Sequence, residues 1–155
     1  MKIQTFEELN CWKACRELRL FIAKQVVSSL PKYERYRLGD QMLRAARSTT
    51  ANIAEGYGRF HYIDNAKFCS NSRGSCWETL DHIITAHDEG LISEDLYQKG
   101  RSLAHEAIKL VNGYMNYLYK ASKNKSSSLK EEFAEYEYEE DYQLSASGYQ
   151  EPDNG

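Results

Sequence analysis

The sequence predicts an all-α protein, an antiparallel up-down-up-down four-helix bundle followed by an acidic C-terminal tail. Only two prolines occur, Pro31 and Pro152, so long stretches carry no helix-breaking residue. Apolar residues recur at spacings of three and four along those stretches, which is the period of one helix face. The expected connections are short, and short connections join antiparallel neighbours. A chain of 155 residues suits one core rather than two.

The first two helices are separated by a proline. The first is expected from Phe6 to Leu30, because Pro31 ends it. The second is expected to start near Tyr36 and to stop at Gly56, whose freedom at positive φ suits a helix end. The apolar stripes contain Leu9, Trp12, Leu18, Phe21, Ile22 and Val26 in the first helix, and Leu38, Met42, Ala45, Thr49 and Ile53 in the second.

The third and fourth helices are joined by a glycine turn. The third is expected after the connection at residues 58–61, and Gly90 closes it. Ser93 is expected to cap the fourth, with Glu94 and Asp95 in the first turn, where the helix dipole favours negative charge. The apolar stripes contain Phe68, Cys76, Leu80 and Ile83, and then Leu103, Ala107, Val111, Tyr114 and Leu118.

Charge divides the chain into a bundle, expected over residues 1–121, and a linker with an acidic tail over residues 122–155. Residues 1–120 carry 17 basic and 14 acidic side chains, whereas residues 121–155 carry 3 and 9. The tail repeats glutamate and tyrosine without apolar periodicity, which is typical of a disordered segment. The bundle is therefore mildly basic and the tail strongly acidic.

Hydropathy favours a cytoplasmic protein without membrane association. No apolar run approaches the roughly 18 residues that span a bilayer. The N-terminus interrupts its apolar residues with charge at once, so we expect no signal peptide.

The cysteines lie in two pairs at helical spacing, Cys11 with Cys15 and Cys69 with Cys76. Such pairs are compatible with a zinc site or with packed, reduced thiols. Structural zinc sites usually have two cysteines in a loop with two to four residues between them, so we expect packed thiols and no metal.

The residue patterns that carry catalysis are missing. A di-iron bundle needs glutamate three residues before histidine, and none of the four histidines has one. No glycine-rich segment ends in the Gly-Lys-Ser or Gly-Lys-Thr that cradles phosphate. Ser75 lacks the strand-turn-helix setting of a nucleophile elbow. We therefore predict no catalytic residue, no cofactor and no enzymatic activity.

Small and polar residues replace apolar ones in two helical segments, residues 43–56 and 70–78. Glycine inside a helix, as at Gly74, costs about 1 kcal/mol relative to alanine unless close packing compensates. We expect the small residues to let the second and third helices approach closely. These residues are Ala45, Ala51, Gly74 and Ser75. A structural, partly buried polar network is also expected, because buried polar groups need partners, and its members are Asn52, Glu55 and Glu78.

One string of residues is specific enough to suggest a family. The sequence RSTTANIAEGYGR runs from Arg47 to Arg59, and Trp12, Gln41, Phe68, Gly74-Ser75 and Glu78 surround it. Together they strongly resemble the bacterial four-helix bundle protein family, encoded in intervening sequences of large-subunit ribosomal RNA genes. That family is similar to the accessory variability proteins of diversity-generating retroelements. The resemblance covers Phe6 to Tyr119, departs at Thr49, where isoleucine is more common, and excludes the tail.

The resemblance implies a four-helix protomer that assembles into a ring, typically a homopentamer, with a basic surface. The retroelement relatives use that surface to bind nucleic acid and a reverse transcriptase. Aromatic residues in excess of one small bundle's needs also favour self-assembly, namely Trp12, Trp77, Tyr114, Tyr117 and Tyr119.

Basic side chains concentrate in the first half of the chain, where residues 1–80 carry 13 basic and 8 acidic ones. Arginine suits phosphate recognition through its rigid fork of donors. We therefore expect RNA or DNA to bind through arginines of this half, with the candidates Arg16, Arg19, Arg37, Arg44, Arg47, Arg59 and Arg73. The alternative is a homo-oligomeric scaffold that docks a protein, such as a reverse transcriptase, without binding nucleic acid.

Overall fold

The computed structural model describes residues 2–124, which form helices joined by short connections. A 3₁₀ turn (Phe6–Glu8) precedes α1 (Asn10–Phe21), a π-helical turn (Ile22–Val26), α2 (Val27–Ser29) and α3 (Lys32–Arg35). Longer helices follow, namely α4 (Leu38–Tyr57), α5 (Tyr62–Asp88) and α6 (Glu94–Lys123). No strand occurs within residues 2–124, and the prediction of an all-α protein is confirmed. The predicted acidic tail, from residue 125 onward, lies outside the described residues.

The first predicted helix begins at Asn10 rather than at Phe6, because Leu9 is extended (ψ 127°). From there it is one continuous helical segment with a local change in the hydrogen-bonding pattern. Residues 10–29 are helical throughout, and within them the N–H of Val27 donates to the carbonyl of Ile22, five residues back. Leu30 is extended (ψ 147°), as expected before Pro31, so the proline ends the segment as predicted. The short α3 was not expected. The next long helix begins at Leu38 rather than near Tyr36, because Tyr36 leaves helical geometry (ψ 2°).

The boundaries at the α5–α6 turn agree with the local sequence signals. Gly90 adopts a φ of 69°, the left-handed conformation expected of the residue that closes α5. The Ser93 hydroxyl accepts a hydrogen bond from the N–H of Leu96 (3.2 Å) and caps α6. His87 Nε2 and Glu94 Oε2 lie 2.6 Å apart and join the two sides of the turn.

Each long helix packs against two others. α4 contacts α1 and α5, and α6 contacts α5 and α1. The shared interior is a continuous hydrophobic core whose largest fully buried side chains include Leu18, Ile22, Met42, Ile53, Ile83, Val111, Tyr114 and Leu118. Tyr114 and Tyr117 are core residues, so packing within one protomer explains both of them and they no longer argue for assembly. None of the described helices combines the length and apolar character that crossing a membrane requires.

Gly56 does not end its helix, contrary to the sequence prediction. It is buried within α4, which continues to Tyr57. A Cβ at Gly56 would lie 2.8 Å from Phe68 Cβ and 2.9 Å from the Asn65 carbonyl oxygen, both on α5. The glycine is therefore required by the close approach of α4 and α5 rather than by a positive φ.

Gly74 does not mediate this close approach, which corrects a second prediction. It lies on an exposed face of α5, and a Cβ there would meet nothing within 4 Å. Ala51 is likewise exposed, whereas Ala45 is buried and Ser75 contacts α4. Gly74 is two residues from both Ser72 and Cys76, which are buried, and two residues rotate a helix by about 200°, so it points away from the core.

The four cysteines are free and buried, as expected for packed thiols. The Sγ atoms of Cys15 and Cys76 lie 3.8 Å apart between α1 and α5. Burial raises the pKa of Cys69 to about 12, and the neighbouring Cys15 adds to this effect. Among residues 2–124, no cluster of three or more cysteine, histidine or acidic side chains could hold a metal ion.

Candidate nucleic-acid interface

One arginine of α1 contacts α4, and three further arginines lie within two turns of that contact along the two helices. Arg19 Nη1 donates a hydrogen bond to Thr50 Oγ1 (2.7 Å), and that hydroxyl donates to the Arg47 carbonyl (3.3 Å). Arg16 lies one turn before Arg19 on α1 and is exposed, as is Arg47. Arg44 lies one turn before Arg47 on α4. We call these four residues (Arg16, Arg19, Arg44 and Arg47) the α1–α4 arginine groove.

The acidic partners of this groove are exposed and weakly held. Arg44 pairs with Asp40 at 3.0 Å, but the arginine side chain is 78% exposed. Arg16 lies 4.0 Å from Glu17, at the limit of an ion pair. Within residues 2–124, Arg47 has no ion pair. Exposed pairs of this kind contribute about 0–1 kcal/mol, so the guanidinium groups remain available to a phosphate.

Arg37 extends the basic surface beyond the groove. It is exposed at the residue before α4 begins, on the same side of that helix as Arg44, seven residues later. No ion pair to Arg37 occurs in the described part of the chain. The arginines of α4 and the residue before it therefore form one exposed basic edge.

Arg59 and Arg73 lie apart from the groove. Arg59, just after α4, pairs with Glu55 (2.9 Å), and its guanidinium carbon lies 4.6 Å from the centre of the Phe68 ring. Arg73 Nη1 donates a hydrogen bond to Asn112 Oδ1 (2.9 Å) and joins α5 to α6. The structure therefore does not bring all seven predicted arginines onto one surface.

Asn52, Glu55 and Glu78, expected to share one polar network, have separate partners. Asn52 Nδ2 donates to the Ser48 carbonyl and hydroxyl, both at 2.9 Å. Glu55 pairs with Arg59, four residues later and just after α4, and Glu78 lies 3.5 Å from His82 Nε2, four residues later on α5. Each glutamate is therefore exposed and paired with a residue four positions later, and the two glutamates do not share a network.

Serines, rather than glutamates, link α4 to α5. The hydroxyls of Ser48 and Ser75 lie 2.8 Å apart, and the Ser72 hydroxyl donates to the Thr49 carbonyl (2.7 Å). Serine hydroxyls are short enough to bond between helices that pack as closely as α4 and α5 do at Gly56. The small residues of the two segments carried this signal, but periodicity alone does not say which of them face each other.

A buried polar pair between α5 and α6 was also missed. Asn65 is 6% exposed, and its Nδ2 donates to Tyr114 Oη at 3.0 Å. Asn65 Oδ1 accepts from Cys69 Sγ, one turn later. Burial raises the pKa of Tyr114 well above its ordinary value, so the hydroxyl stays protonated. The spacing of Asn65 and Cys69 at i and i+4 was the available signal for its burial.

Comparison with known proteins assigns the chain to a family. No curated protein matches the sequence. A family model, described as that of the 23S rRNA-intervening sequence protein, matches residues 7–113, which include α1 through most of α6. The matched residues make up more than half of the chain. The chain therefore belongs to the 23S rRNA-intervening sequence protein family.

Proposed function

We propose that this protein is a non-enzymatic, oligomeric accessory protein that binds nucleic acid, through which it assists a reverse transcriptase or associates with structured RNA. The observation that carries the proposal is the α1–α4 arginine groove. It presents planar, multidentate donors on two adjacent helices, and the carboxylates that pair with it in the described part of the chain are exposed and weakly held. Arginine forks of this kind match the geometry of phosphate oxygens.

The groove favours recognition of a nucleic-acid phosphate backbone rather than of one isolated anion. Its four arginines are spread over two helices, and Arg37 continues the series beyond the start of α4. A row of separated cations suits a polymer of phosphates, each contact releasing counterions from the nucleic acid. The hydrogen bond from Arg19 to Thr50 holds one guanidinium in place, so less side-chain freedom is lost on binding.

The proposed assembly is a ring of antiparallel four-helix protomers, typically a pentamer. The contact of each long helix with two others supports the up-down-up-down bundle. Light scattering on the full chain should give about five times the protomer mass of 18.0 kDa. A single species at 18.0 kDa and micromolar protein would contradict the oligomer.

A charge-reversal experiment tests nucleic-acid binding. Arg44→Glu with Arg47→Glu should weaken the binding of single-stranded and hairpin RNA by about tenfold or more at low salt, measured by fluorescence anisotropy. The matched control is Lys99→Glu with Lys109→Glu on α6, which contacts α1 and α5 and changes the net charge equally. Equal losses in the two double variants would mean that net charge, and not this groove, governs binding.

The alternative function is a scaffold that docks a protein partner. Large exposed aromatic side chains favour it, since Tyr36 and Phe60 are 88% and 77% exposed. Salt-insensitive capture of a reverse transcriptase, without measurable affinity for RNA, would support this alternative over the first.

A further inference from the structure

A half-open pocket lies at the end of the bundle where α4 ends, α5 begins and α6 approaches its C-terminus. Its volume is about 190 Å³. Aromatic and polar side chains line it, with Tyr57 from α4, His61 and Tyr62 at the start of α5, and Tyr114 and Leu118 from α6. Arg59 and Asn65 complete the lining. The pocket is distinct from the α1–α4 arginine groove.

The inner wall of the pocket is a fixed amide. Asn65 is held by the hydrogen bond to Tyr114 (3.0 Å) and by the contact of its Oδ1 with Cys69 Sγ (3.5 Å). An amide offers two donor hydrogens and an acceptor oxygen with two lone pairs, so these bonds leave capacity for a ligand. Because Gly56 packs directly against Asn65, the amide also has little room to move.

The outer wall carries the positive charge. The Arg59 guanidinium lies over the Phe68 ring and pairs with Glu55, and both contacts restrict its position. His61 is exposed beside it, with its ring 5.0 Å from that of Phe60. Among the described residues, none that lines the pocket is acidic, and the Glu55 carboxylate that pairs with Arg59 is 55% exposed, so a phosphate can replace it. The site therefore suits a flat, hydrogen-bonding group that carries a negative charge on its outer side.

We propose that this pocket receives one unpaired nucleotide of an RNA strand, with the base against the tyrosines and Asn65 and the phosphate on Arg59. This inference rests on the proposed function and names its specific contact. Unpaired bases can be splayed into pockets, stacked on aromatic rings and hydrogen-bonded along their edges. The volume equals that of roughly six water molecules, which accommodates one ring system and is smaller than typical drug-sized sites.

The position of the pocket fits a strand that also occupies the groove. Arg59 lies two residues after Tyr57, the last residue of α4, which itself is ten residues after Arg47. At 1.5 Å per residue, Arg47 and the end of α4 are roughly 15 Å apart along the helix. A strand bound on the exposed arginines of α4 can therefore reach the pocket within a few nucleotides, which predicts a preference for loops and single strands over blunt duplexes.

The test compares RNAs and variants of the full chain. Arg59→Gln and His61→Ala are each expected to weaken the binding of a single-stranded RNA about fivefold while leaving a blunt duplex unaffected. Lys99→Gln, which removes one exposed positive charge on α6 from a residue that does not line the pocket, is the matched control. Single-stranded RNA containing 4-thiouridine should crosslink to Tyr57, His61 or Tyr62 under ultraviolet light, as mapped by mass spectrometry.

Competition with free ligands distinguishes recognition of the base from recognition of the phosphate. Nucleoside monophosphates should displace the single-stranded RNA at concentrations where inorganic phosphate and ribose 5-phosphate do not. Displacement by phosphate alone would overturn the base site. This inference would be overturned if Arg59→Gln and His61→Ala left the affinity for single-stranded RNA unchanged and the crosslinks were confined to α1 and to α4 upstream of Tyr57. That result would leave the proposed function intact. Failure to bind any RNA would overturn both.

Discussion

Exchanging the glycines at two positions for alanine tests the account of how α4 and α5 pack. In Gly56→Ala, the new Cβ would lie 2.8 Å from Phe68 Cβ and 2.9 Å from the Asn65 carbonyl oxygen, so the helices must move apart. Overpacking of this kind costs about 1–3 kcal/mol, and alanine recovers about 1 kcal/mol of helix propensity. The Asn65 Oδ1 atom is a third obstacle, at 2.7 Å, and the Asn65 carbonyl belongs to the backbone and cannot rotate away. We therefore expect an overpacking cost in the upper half of that range, and a net loss of about 1–2 kcal/mol of unfolding free energy.

Gly74→Ala is the matched control for this change. A Cβ at Gly74 meets nothing within 4 Å, so only the helix propensity changes and stability should rise by up to about 1 kcal/mol. Urea unfolding at one fixed protein concentration measures the stability of both variants. An unchanged m-value would indicate that the substitution does not affect the denatured state. If Gly56→Ala were as stable as the parent, the close approach at Asn65 would not limit packing. If Gly74→Ala were strongly destabilising, its exposed face would be covered by another molecule.

Three further predictions concern the tail, the polar contacts and a histidine. Removing everything after Lys125 should tighten single-stranded RNA binding several-fold at low salt and less at high salt, because a tethered acidic segment competes with phosphate; unchanged affinity at every salt concentration would contradict this. Asn52→Ala should cost about 1 kcal/mol in urea unfolding because it removes hydrogen bonds to Ser48, whereas Glu78→Ala should change stability by no more than about 0.5 kcal/mol. Equal losses would restore the predicted shared network. Partial desolvation, and then the charge of Arg101, lower the pKa of His105, which is otherwise exposed. The unfolded chain therefore binds this proton more readily, and the folded protein loses a little stability as pH falls below about 6.5. Titration by NMR should give His105 a pKa below that value, and an ordinary or raised pKa would contradict the desolvation.

Helix boundaries were predictable where one residue decides them. Pro31, Gly90 and Ser93 each act through their own backbone or side chain, and the structure confirms all three. The π-helical turn and the short α3 were not predicted, because both depend on how residues 22–37 pack against the rest of the molecule. Local signals therefore define where helices stop but not how they bend.

The contacts between helices were harder to predict. Gly56 and Gly74 both interrupt helical segments in the sequence, yet only Gly56 faces a neighbouring helix. The rotation of α5 relative to its buried residues Ser72 and Cys76 would have placed Gly74 outward, so that error was avoidable. The pairing of Ser48 with Ser75 could not have been predicted, because it depends on the register of α4 against α5.

The arginine cluster was predicted in composition but not in arrangement. Sequence spacing correctly groups Arg44 with Arg47 on one helix. It cannot show that Arg19 reaches across to Thr50 or that Arg73 bonds to Asn112 in another groove. Those contacts depend on which helices are neighbours, which the sequence of a single chain does not state.

The salt dependence of RNA binding tests the central claim most directly. If the four arginines of the α1–α4 groove contact phosphates, the logarithm of the affinity for single-stranded RNA should fall against the logarithm of salt concentration with a slope of about −3. Arg44→Glu with Arg47→Glu should reduce that slope by about 1.4, because two contacts are lost. An affinity that stays constant from about 50 to 200 mM salt, or a slope unchanged in the double variant, would contradict phosphate recognition by this groove.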